Sequence, residues 1–156
     1  MSREKLMKKI VIIGAGISGL YLANLFQKKG NYDYKIFEKK SDIKIKQGYG
    51  IQLSPNGVKL LNMIGFNKII SNDIYLPRNI NFFDVKNCNL ISKIDISQFN
   101  NDESKYTLLK RSILIDFLKS KIPKEKLIFN ADIKNINFED TIKIKLENGN
   151  TEEAEY

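Results

Sequence analysis

Histidine and tryptophan are absent from this sequence of 156 residues, and cysteine occurs only once, at position 88. Without histidine the chain has no Ser-His-Asp triad, no histidine general base and no histidine metal ligand, and we predict no metal site. A single cysteine cannot form a disulfide within the chain. Low cysteine content is typical of proteins in a reducing cytoplasm, which is the location that we expect.

Arginine is also rare, although the net charge is +8. It occurs only at Arg3, Arg78 and Arg111, so lysine carries nearly all of the positive charge. The lysines are scattered along the whole chain and form no stripe with interleaved aromatic residues, so we expect no nucleic-acid partner. Long apolar runs are missing too. The best candidate, residues 10–26, is interrupted by three glycines and Asn24, and we predict no membrane span.

What the sequence does contain near its start is the stretch KKIVIIGAGISGLYLANLFQKKG, residues 8–30. Its two lysines and short apolar run resemble the beginning of an export signal. However, no clear cleavage motif follows. The apolar residues after Gly19 continue at helical spacing up to Gly30, and a glycine is typical just after the end of a helix. We therefore favour a nucleotide-binding elbow over an export signal.

The elbow interpretation depends on three glycines at G-x-G-x-x-G spacing between a predicted strand, residues 9–13, and a predicted helix. Gly14 would make the tight turn, and Gly16 would let main-chain amides approach a diphosphate. Gly19 would let the helix lie close to the strand. The N-terminus of a helix carries partial positive charge, which favours phosphate.

A second predicted strand, residues 34–37, is followed by Glu38, which lies 19 residues beyond Gly19. An acidic residue about 20 residues after the glycines binds ribose hydroxyls in dinucleotide-binding folds. Its carboxylate would repel a 2′-phosphate, so NADP is disfavoured at this position. NAD and FAD both satisfy the pattern at this stage.

The later segments predict further α/β elements. Ser54-Pro55 predicts the start of a helix. Two strands at residues 80–85 and 90–94 predict an inserted β-ribbon. Residues 133–138 and 142–146 predict strands of an antiparallel β-meander.

Arg111 stands at the start of another predicted helix, with Ser112 as its expected N-cap. A cation is unfavourable at a helix N-terminus because of the helix dipole. Lysine cannot reproduce the planar fork of arginine. A rare arginine at an unfavourable place therefore indicates a bound phosphate or ribose.

Taken together, the sequence resembles the FAD-dependent aromatic hydroxylases, which are single-component flavoprotein monooxygenases, and their salicylate hydroxylase-like members in particular. IVIIGAGISGLYLANLFQKKG with Glu38 resembles the fingerprint that binds the ADP part of FAD. GYGIQLSPNGVKLLNMIGF resembles the loop and helix that run beneath the flavin. LLKRSILIDFL resembles the helix start whose arginine contacts FAD, and the segment through IKLENGNTEEAEY resembles the β-meander.

This resemblance implies an α/β fold with a Rossmann-like FAD-binding βαβ unit, an inserted β-ribbon and a C-terminal antiparallel β-meander. Residues 1–156 would form the N-terminal part of an FAD-binding domain, and residues 77–107 would be a β-ribbon of the substrate-side sheet. Gly48, Gly50 and Ile51 would lie near the flavin edge, and Arg111 near the FAD phosphate or ribitol. The full set of implied cofactor-binding residues is Gly14, Ala15, Gly16, Ile17, Ser18, Gly19, Glu38, Lys39, Gly48, Gly50, Ile51 and Arg111.

The implied reaction is hydroxylation of a small aromatic substrate with FAD as cofactor and NAD(P)H and O2 as co-substrates. Members of the family are usually more than twice as long, and their D-G motif and later G-D motif are missing here. We therefore expect the N-terminal portion of such an enzyme, incomplete as a fold and inactive alone, with a complementary chain as one candidate partner. The sequence predicts no catalytic residue.

Two alternatives stay open. One is a non-catalytic dinucleotide-binding or interaction remnant that needs a partner chain. The other is a different FAD-dependent oxidoreductase, such as an amine oxidase-type enzyme. That class shares the glycine fingerprint and Glu38, but it does not predict the glycine-bearing segment at residues 48–57 beside the flavin.

Overall fold

The computed structural model describes residues 7–43, 49–69 and 71–156. Short 3-10 turns connect several of its elements. The strands and α-helices within these residues are, in chain order, β1 (Lys8–Ile13), α1 (Ile17–Lys29), β2 (Tyr32–Phe37), β3 (Gly50–Leu53), α2 (Pro55–Asn62), β4 (Ile74–Tyr75), β5 (Asn79–Phe83), β6 (Leu90–Asp95), β7 (Thr107–Lys110), α3 (Arg111–Lys119), β8 (Leu127–Ile128), β9 (Ile133–Phe138), β10 (Ile142–Leu146) and β11 (Thr151–Ala154).

The chain divides into two compact units. The first unit comprises residues 1–46 and 115–156, and the second comprises residues 47–114. The second unit is therefore inserted into the sequence of the first, and the division falls within α3.

The first unit contains a parallel sheet in the order β1-β2-β8. β1 and β2 pair along their full length, from Lys8 opposite Tyr32 to Ile13 opposite Phe37. The β-branched residues of β1 suit a parallel strand that is covered by a helix. The crossover helix α1 buries Leu20 and Ala23 completely. This arrangement puts the β1–α1 elbow and the end of β2 at the same edge of the sheet, where α/β folds bind ligands.

Polar side chains link elements of the first unit, among them Asn24 and Lys126. The buried side-chain amide of Asn24 in α1 donates to the carbonyls of Leu20 at 2.8 Å and Leu118 at 2.9 Å. The Leu118 carbonyl lies in the last turn of α3, where helical carbonyls lack intrahelical partners. The Lys126 ammonium donates to Asp33 at 2.7 Å, and this hydrogen bond is the main reason why the pKa of Asp33 is lowered.

The antiparallel sheet β9-β10-β11 completes the first unit. Ile144 and Leu146 of β10 are buried and alternate with exposed lysines, so this sheet buries one face. Residues beyond β11 lie beside β1, where the Val11 amide donates to the Tyr156 carbonyl at 3.0 Å. The core of this sheet consists of Phe37, Ala131, Ile144, Leu146 and Ala154.

The second unit contains the antiparallel sheet β3-β7-β4 and the ribbon β5-β6. β3 pairs with β7 from Gly50 opposite Lys110 to Leu53 opposite Thr107. In the ribbon, every residue of β6 is exposed, and so are Phe82 and Phe83 of β5. The ribbon therefore presents apolar side chains on its surface.

The predicted fold class is confirmed, since the structure has the Rossmann-like βαβ unit, the inserted ribbon and the C-terminal meander. Gly30 is confirmed as the glycine after α1, with a φ of +69°. The expected N-cap of α3 is wrong, because Arg111 is itself the first helical residue and Ser112 follows within the helix. Along the described stretches of the chain, we find no helix that combines the length and apolar character needed to cross a bilayer.

Candidate dinucleotide-binding site

The elbow between β1 and α1 leaves main-chain amides without a side-chain cap. Gly16 is the N-cap of α1, and no side chain hydrogen-bonds there. The first intrahelical hydrogen bond runs from the Leu20 amide to the Gly16 carbonyl at 2.9 Å. The amides of Ile17, Ser18 and Gly19 precede it, and the first turn contains no acidic residue. Uncapped amides and the helix dipole together favour a bound anion.

Gly14 and Gly19 permit the close approach of helix and strand. The φ of Gly14 is +96°, a conformation that residues with a Cβ rarely adopt. A Cβ atom added at Gly19 would lie 2.1 Å from the Gly14 carbonyl oxygen and 3.2 Å from Ile12 Cγ2. Because the first of these atoms belongs to the main chain, only glycine is accommodated at position 19 without a backbone shift.

Gly16 differs from the other two glycines of the elbow. Its φ of −76° and ψ of −176° are extended values that any residue adopts. A Cβ atom added there would meet no atom within 4 Å. Neither strain nor packing within the described residues therefore requires glycine here, and the space beside this residue is open.

Glu38 follows β2 and is held against the elbow. Its two carboxylate oxygens accept hydrogen bonds from the amides of Ala15 at 2.9 Å and Lys40 at 3.0 Å. Its main-chain amide donates to the Ile128 carbonyl at the end of β8, and its carbonyl accepts from the Ala131 amide beyond that strand. A carboxylate has about four acceptor positions, so Glu38 keeps capacity to accept further hydrogen bonds from ribose hydroxyls.

The contact between Ala15 and Glu38 could not be read from the sequence. Glu38 is recognisable there only by its distance from the glycines, and nothing local to position 38 points to residue 15. The pairing of β1 with β2 brings the two ends together, since Ile13 lies opposite Phe37. Lys39, the next predicted residue, is exposed.

The predicted flavin contacts that the structure describes lie together in the second unit. Gly50 begins β3, and Ile51 pairs with Leu109 of β7. Arg111 follows β7 directly, and its amide donates to the Tyr49 carbonyl at 3.0 Å. The chain segments that carry Gly50, Ile51 and Arg111 are therefore adjacent. Gly48 lies outside the described residues.

The sequence predicted these residues separately, but it did not predict the sheet that joins them. The sequence predicts a glycine-bearing extended segment that leads into a helix at Ser54-Pro55, and the structure has strand β3 at Gly50–Leu53 within this segment. The β-branched and aromatic composition of YTLLK, residues 106–110, is the signal that indicates its partner β7.

A groove of about 1,120 Å³ in the first unit lies away from the elbow. Its walls include Ile10 and Val11 of β1, Leu22 and Phe26 of α1, and Tyr156, but none of the glycines of the elbow. It is mainly apolar, whereas a diphosphate needs hydrogen-bond donors. We therefore place the candidate site at the elbow and not in this groove.

No cluster of three or more His, Cys, Asp or Glu residues that could hold a metal ion occurs in residues 7–43, 49–69 and 71–156. The polar groups at the elbow are main-chain amides without a side-chain cap and one carboxylate beside them.

The fold and the elbow are those of the Rossmann type of α/β fold. Residues 12–45 match the family described as NAD(P)-binding Rossmann-like domain. More narrowly, the sequence is similar to FAD-dependent flavoprotein monooxygenases, so the resemblance predicted from the three motifs is confirmed.

Three curated relatives illustrate this similarity. A 57-residue match to a FAD-dependent monooxygenase of Nectria sp is 46% identical and covers 36% of this chain and 7% of that protein. A match of the same length to the 3-amino-4-hydroxybenzoate 2-monooxygenase of Streptomyces cremeus is 42% identical and covers 36% of this chain and 14% of that protein. A FAD-dependent monooxygenase of Gibberella zeae is 26% identical over 129 residues, which is 82% of this chain and 28% of that protein.

Solved structures show the same fold at low sequence identity. The R204Q variant of Klebsiella pneumoniae HpxO, solved in complex with FAD, aligns with a TM-score of 0.77 and 20% identity over 94% of this chain. The 2,6-dihydroxypyridine-3-hydroxylase of Arthrobacter nicotinovorans aligns with a TM-score of 0.76 and 15% identity over 96% of this chain. This chain covers 38% and 36% of those two chains, so it spans little more than a third of their length.

Proposed function

We propose that this chain binds FAD as part of a flavin-dependent monooxygenase, and that the first unit holds the ADP moiety. The observation that carries the proposal is the uncapped N-terminus of α1 beside open space at Gly16, with the Glu38 carboxylate bonded to the adjoining Ala15 amide. The amides supply donors for the diphosphate, and the carboxylate supplies acceptors for the ribose.

Each group in the elbow has a separate task in this proposal. The amides of Gly16, Ile17, Ser18 and Gly19 bind the diphosphate, while Ala15 keeps Glu38 in place through its own amide. Lys39 is exposed next to Glu38 and adds positive charge near the phosphates. FAD, when bound, supplies the redox and oxygen chemistry, and the residues of this chain bind and orient it.

Gly50, Ile51 and Arg111 are the proposed contacts of the flavin and ribityl part. β3 and β7 place their main chains side by side, and Gly50 has no side chain to obstruct a planar group. Arg111 is partly buried at the start of α3 and offers several donors to a phosphate or a ribityl hydroxyl. That residues 77–107 belong to a substrate-side sheet remains a prediction.

The proposed reaction of the whole protein is hydroxylation of a small aromatic substrate with NAD(P)H and O2. The similarity to a protein named 3-amino-4-hydroxybenzoate 2-monooxygenase supports an aromatic substrate. Because this chain covers 36% and 38% of two solved chains of the same fold, we do not expect hydroxylation from these residues alone. We propose that activity needs further polypeptide, such as a complementary chain.

Titration of the purified chain with FAD, NAD and NADP tests the proposal. We expect a flavin absorbance band that co-elutes with the protein, weaker binding of NAD, and the weakest binding of NADP because Glu38 repels its 2′-phosphate. A folded chain that binds none of the three contradicts the proposal and favours a non-catalytic interaction remnant. Tighter binding of NAD than of FAD would instead indicate an NAD-dependent protein.

Replacing Arg111 by lysine tests the second set of residues. We expect the Arg111→Lys variant to bind FAD about 10-fold more weakly, because an ammonium cannot form the paired hydrogen bonds of a guanidinium. Arg78→Lys is the matched control, since Arg78 is an exposed arginine of the same unit. Equal dissociation constants for the two variants, measured by flavin fluorescence titration, would reduce Arg111 to an ordinary surface charge.

A further inference from the structure

Tyr49 immediately precedes Gly50 and is exposed over 64% of its surface. A large, exposed aromatic side chain is common on proteins and by itself needs no explanation. Tyr49 is distinguished by two contacts with Arg111, one at its main chain and one at its ring. Its carbonyl accepts the Arg111 amide at 3.0 Å, and the guanidinium carbon of Arg111 lies 5.9 Å from the centre of its ring.

The guanidinium contact orients the ring without burying it. A cation over the face of an aromatic ring is attracted by the ring quadrupole at distances up to about 6 Å. The remaining exposed surface is available to a second planar group. Gly50, the next residue, leaves the adjoining main chain unobstructed, because a Cβ atom added there would meet no atom within 4 Å.

We infer that the Tyr49 ring is a stacking contact for the flavin ring system of bound FAD, oriented for this role by Arg111. The inference rests on the proposed function and deepens it by adding a residue to the same site. The flavin ring is planar, extended and aromatic, so it matches a tyrosine face better than a phosphate or a ribose does. Tyr49 thus contacts the flavin ring and holds it in position, and it takes no part in the making of bonds.

Two variants of Tyr49 separate stacking from a merely structural role. Tyr49→Leu keeps an apolar side chain but removes the ring, so we expect FAD to bind about 3- to 10-fold more weakly. Tyr49→Phe keeps the ring and is expected to restore the affinity. A stacked tyrosine quenches flavin fluorescence by donating an electron to the excited ring, whereas phenylalanine is too difficult to oxidise. Tyr49→Phe should therefore bind FAD normally and make the bound flavin more fluorescent.

Tyr75→Leu is the matched control, because Tyr75 is 65% exposed and lies in β4 of the same sheet. We expect this change to leave both the dissociation constant and the fluorescence of bound FAD unaltered. If FAD binds but its fluorescence is the same in Tyr49→Phe as in the unaltered chain, the stacking inference is wrong and the proposed function stands. If the unaltered chain takes up no FAD, both are wrong.

Discussion

A chain in which Gly16 is replaced by valine is expected to fold normally and to bind FAD about 100-fold more weakly, a loss of about 2.7 kcal/mol. Folding is spared because the backbone of Gly16 is extended and an added Cβ atom meets nothing within 4 Å. Binding is lost because the valine methyl groups would occupy the space through which the diphosphate approaches the amides of Ile17 and Ser18. Glycine is thus proposed to be needed at position 16 for binding of the ligand and not for folding.

Circular dichroism and urea unfolding would establish that the Gly16→Val variant is folded, and equilibrium titration would give its FAD dissociation constant. Gly57→Val is a suitable control. Gly57 lies in α2, and an added Cβ atom there would lie at an ordinary distance of 3.8 Å from Ser54 Oγ. This control tests folding only, because Gly57 belongs to the segment that resembles the loop and helix beneath the flavin. Unchanged affinity in a folded Gly16→Val variant would remove the diphosphate assignment, whatever the other variants do.

The opposite outcome is expected at Gly19, where substitution should damage the fold itself. In Gly19→Ala the new methyl group would lie 2.1 Å from the Gly14 carbonyl oxygen, far inside the contact distance of the two atoms. Either α1 must move away from β1 or the elbow must change shape, and both changes expose apolar side chains such as Leu20. We expect a loss of about 3 kcal/mol or more in the free energy of unfolding.

Urea unfolding without ligand measures this loss directly. Gly57→Ala is the control, because alanine is the better helix former and its methyl group has room in α2, so its stability should be unchanged or slightly higher. A loss below about 1 kcal/mol in Gly19→Ala would mean that the elbow yields easily, since ordinary surface substitutions cost only about half of that. In that case the close approach of α1 to β1 would not be what requires glycine.

Together, the two glycine variants separate two functions that the sequence motif combines. Gly19 is explained by contacts within the protein, so its presence indicates only a tightly packed strand–helix elbow. Gly16 has no such explanation within the described residues, and we propose that glycine is needed there to admit the ligand. The second glycine is therefore the more informative of the two about function.

Much of the first unit could be predicted because its signals are local. The β-branched run of β1 and the helical spacing of α1 are patterns within single segments. The left-handed conformation of Gly30 at the end of α1 also follows from the residue type, because glycine alone adopts it without cost. The hairpin strands β9 and β10 were predicted with the bounds that the structure has, and β10 alternates apolar and polar residues.

The sheet of the second unit could not be predicted in the same way. β3 is four residues long and pairs with β7, which lies nearly 60 residues further along the chain. Such pairing depends on which distant segments meet when the whole chain packs, and strands this short carry little periodicity of their own. The adjacency of Tyr49, Gly50 and Arg111 is a consequence of that pairing.

The sequence by itself determined β1, α1 and β2 as separate segments, the glycine elbow and the acidic residue after β2, because hydrogen bonds and steric limits inside one turn or helix depend on near neighbours. Only the tertiary structure decided which residues from distant segments contact each other. Parallel pairing carries the Glu38 carboxylate to the Ala15 amide, and the β3–β7 ladder carries Arg111 to Tyr49. Contacts between distant segments form only when the packing of the whole unit offsets the entropy lost in closing the chain between them.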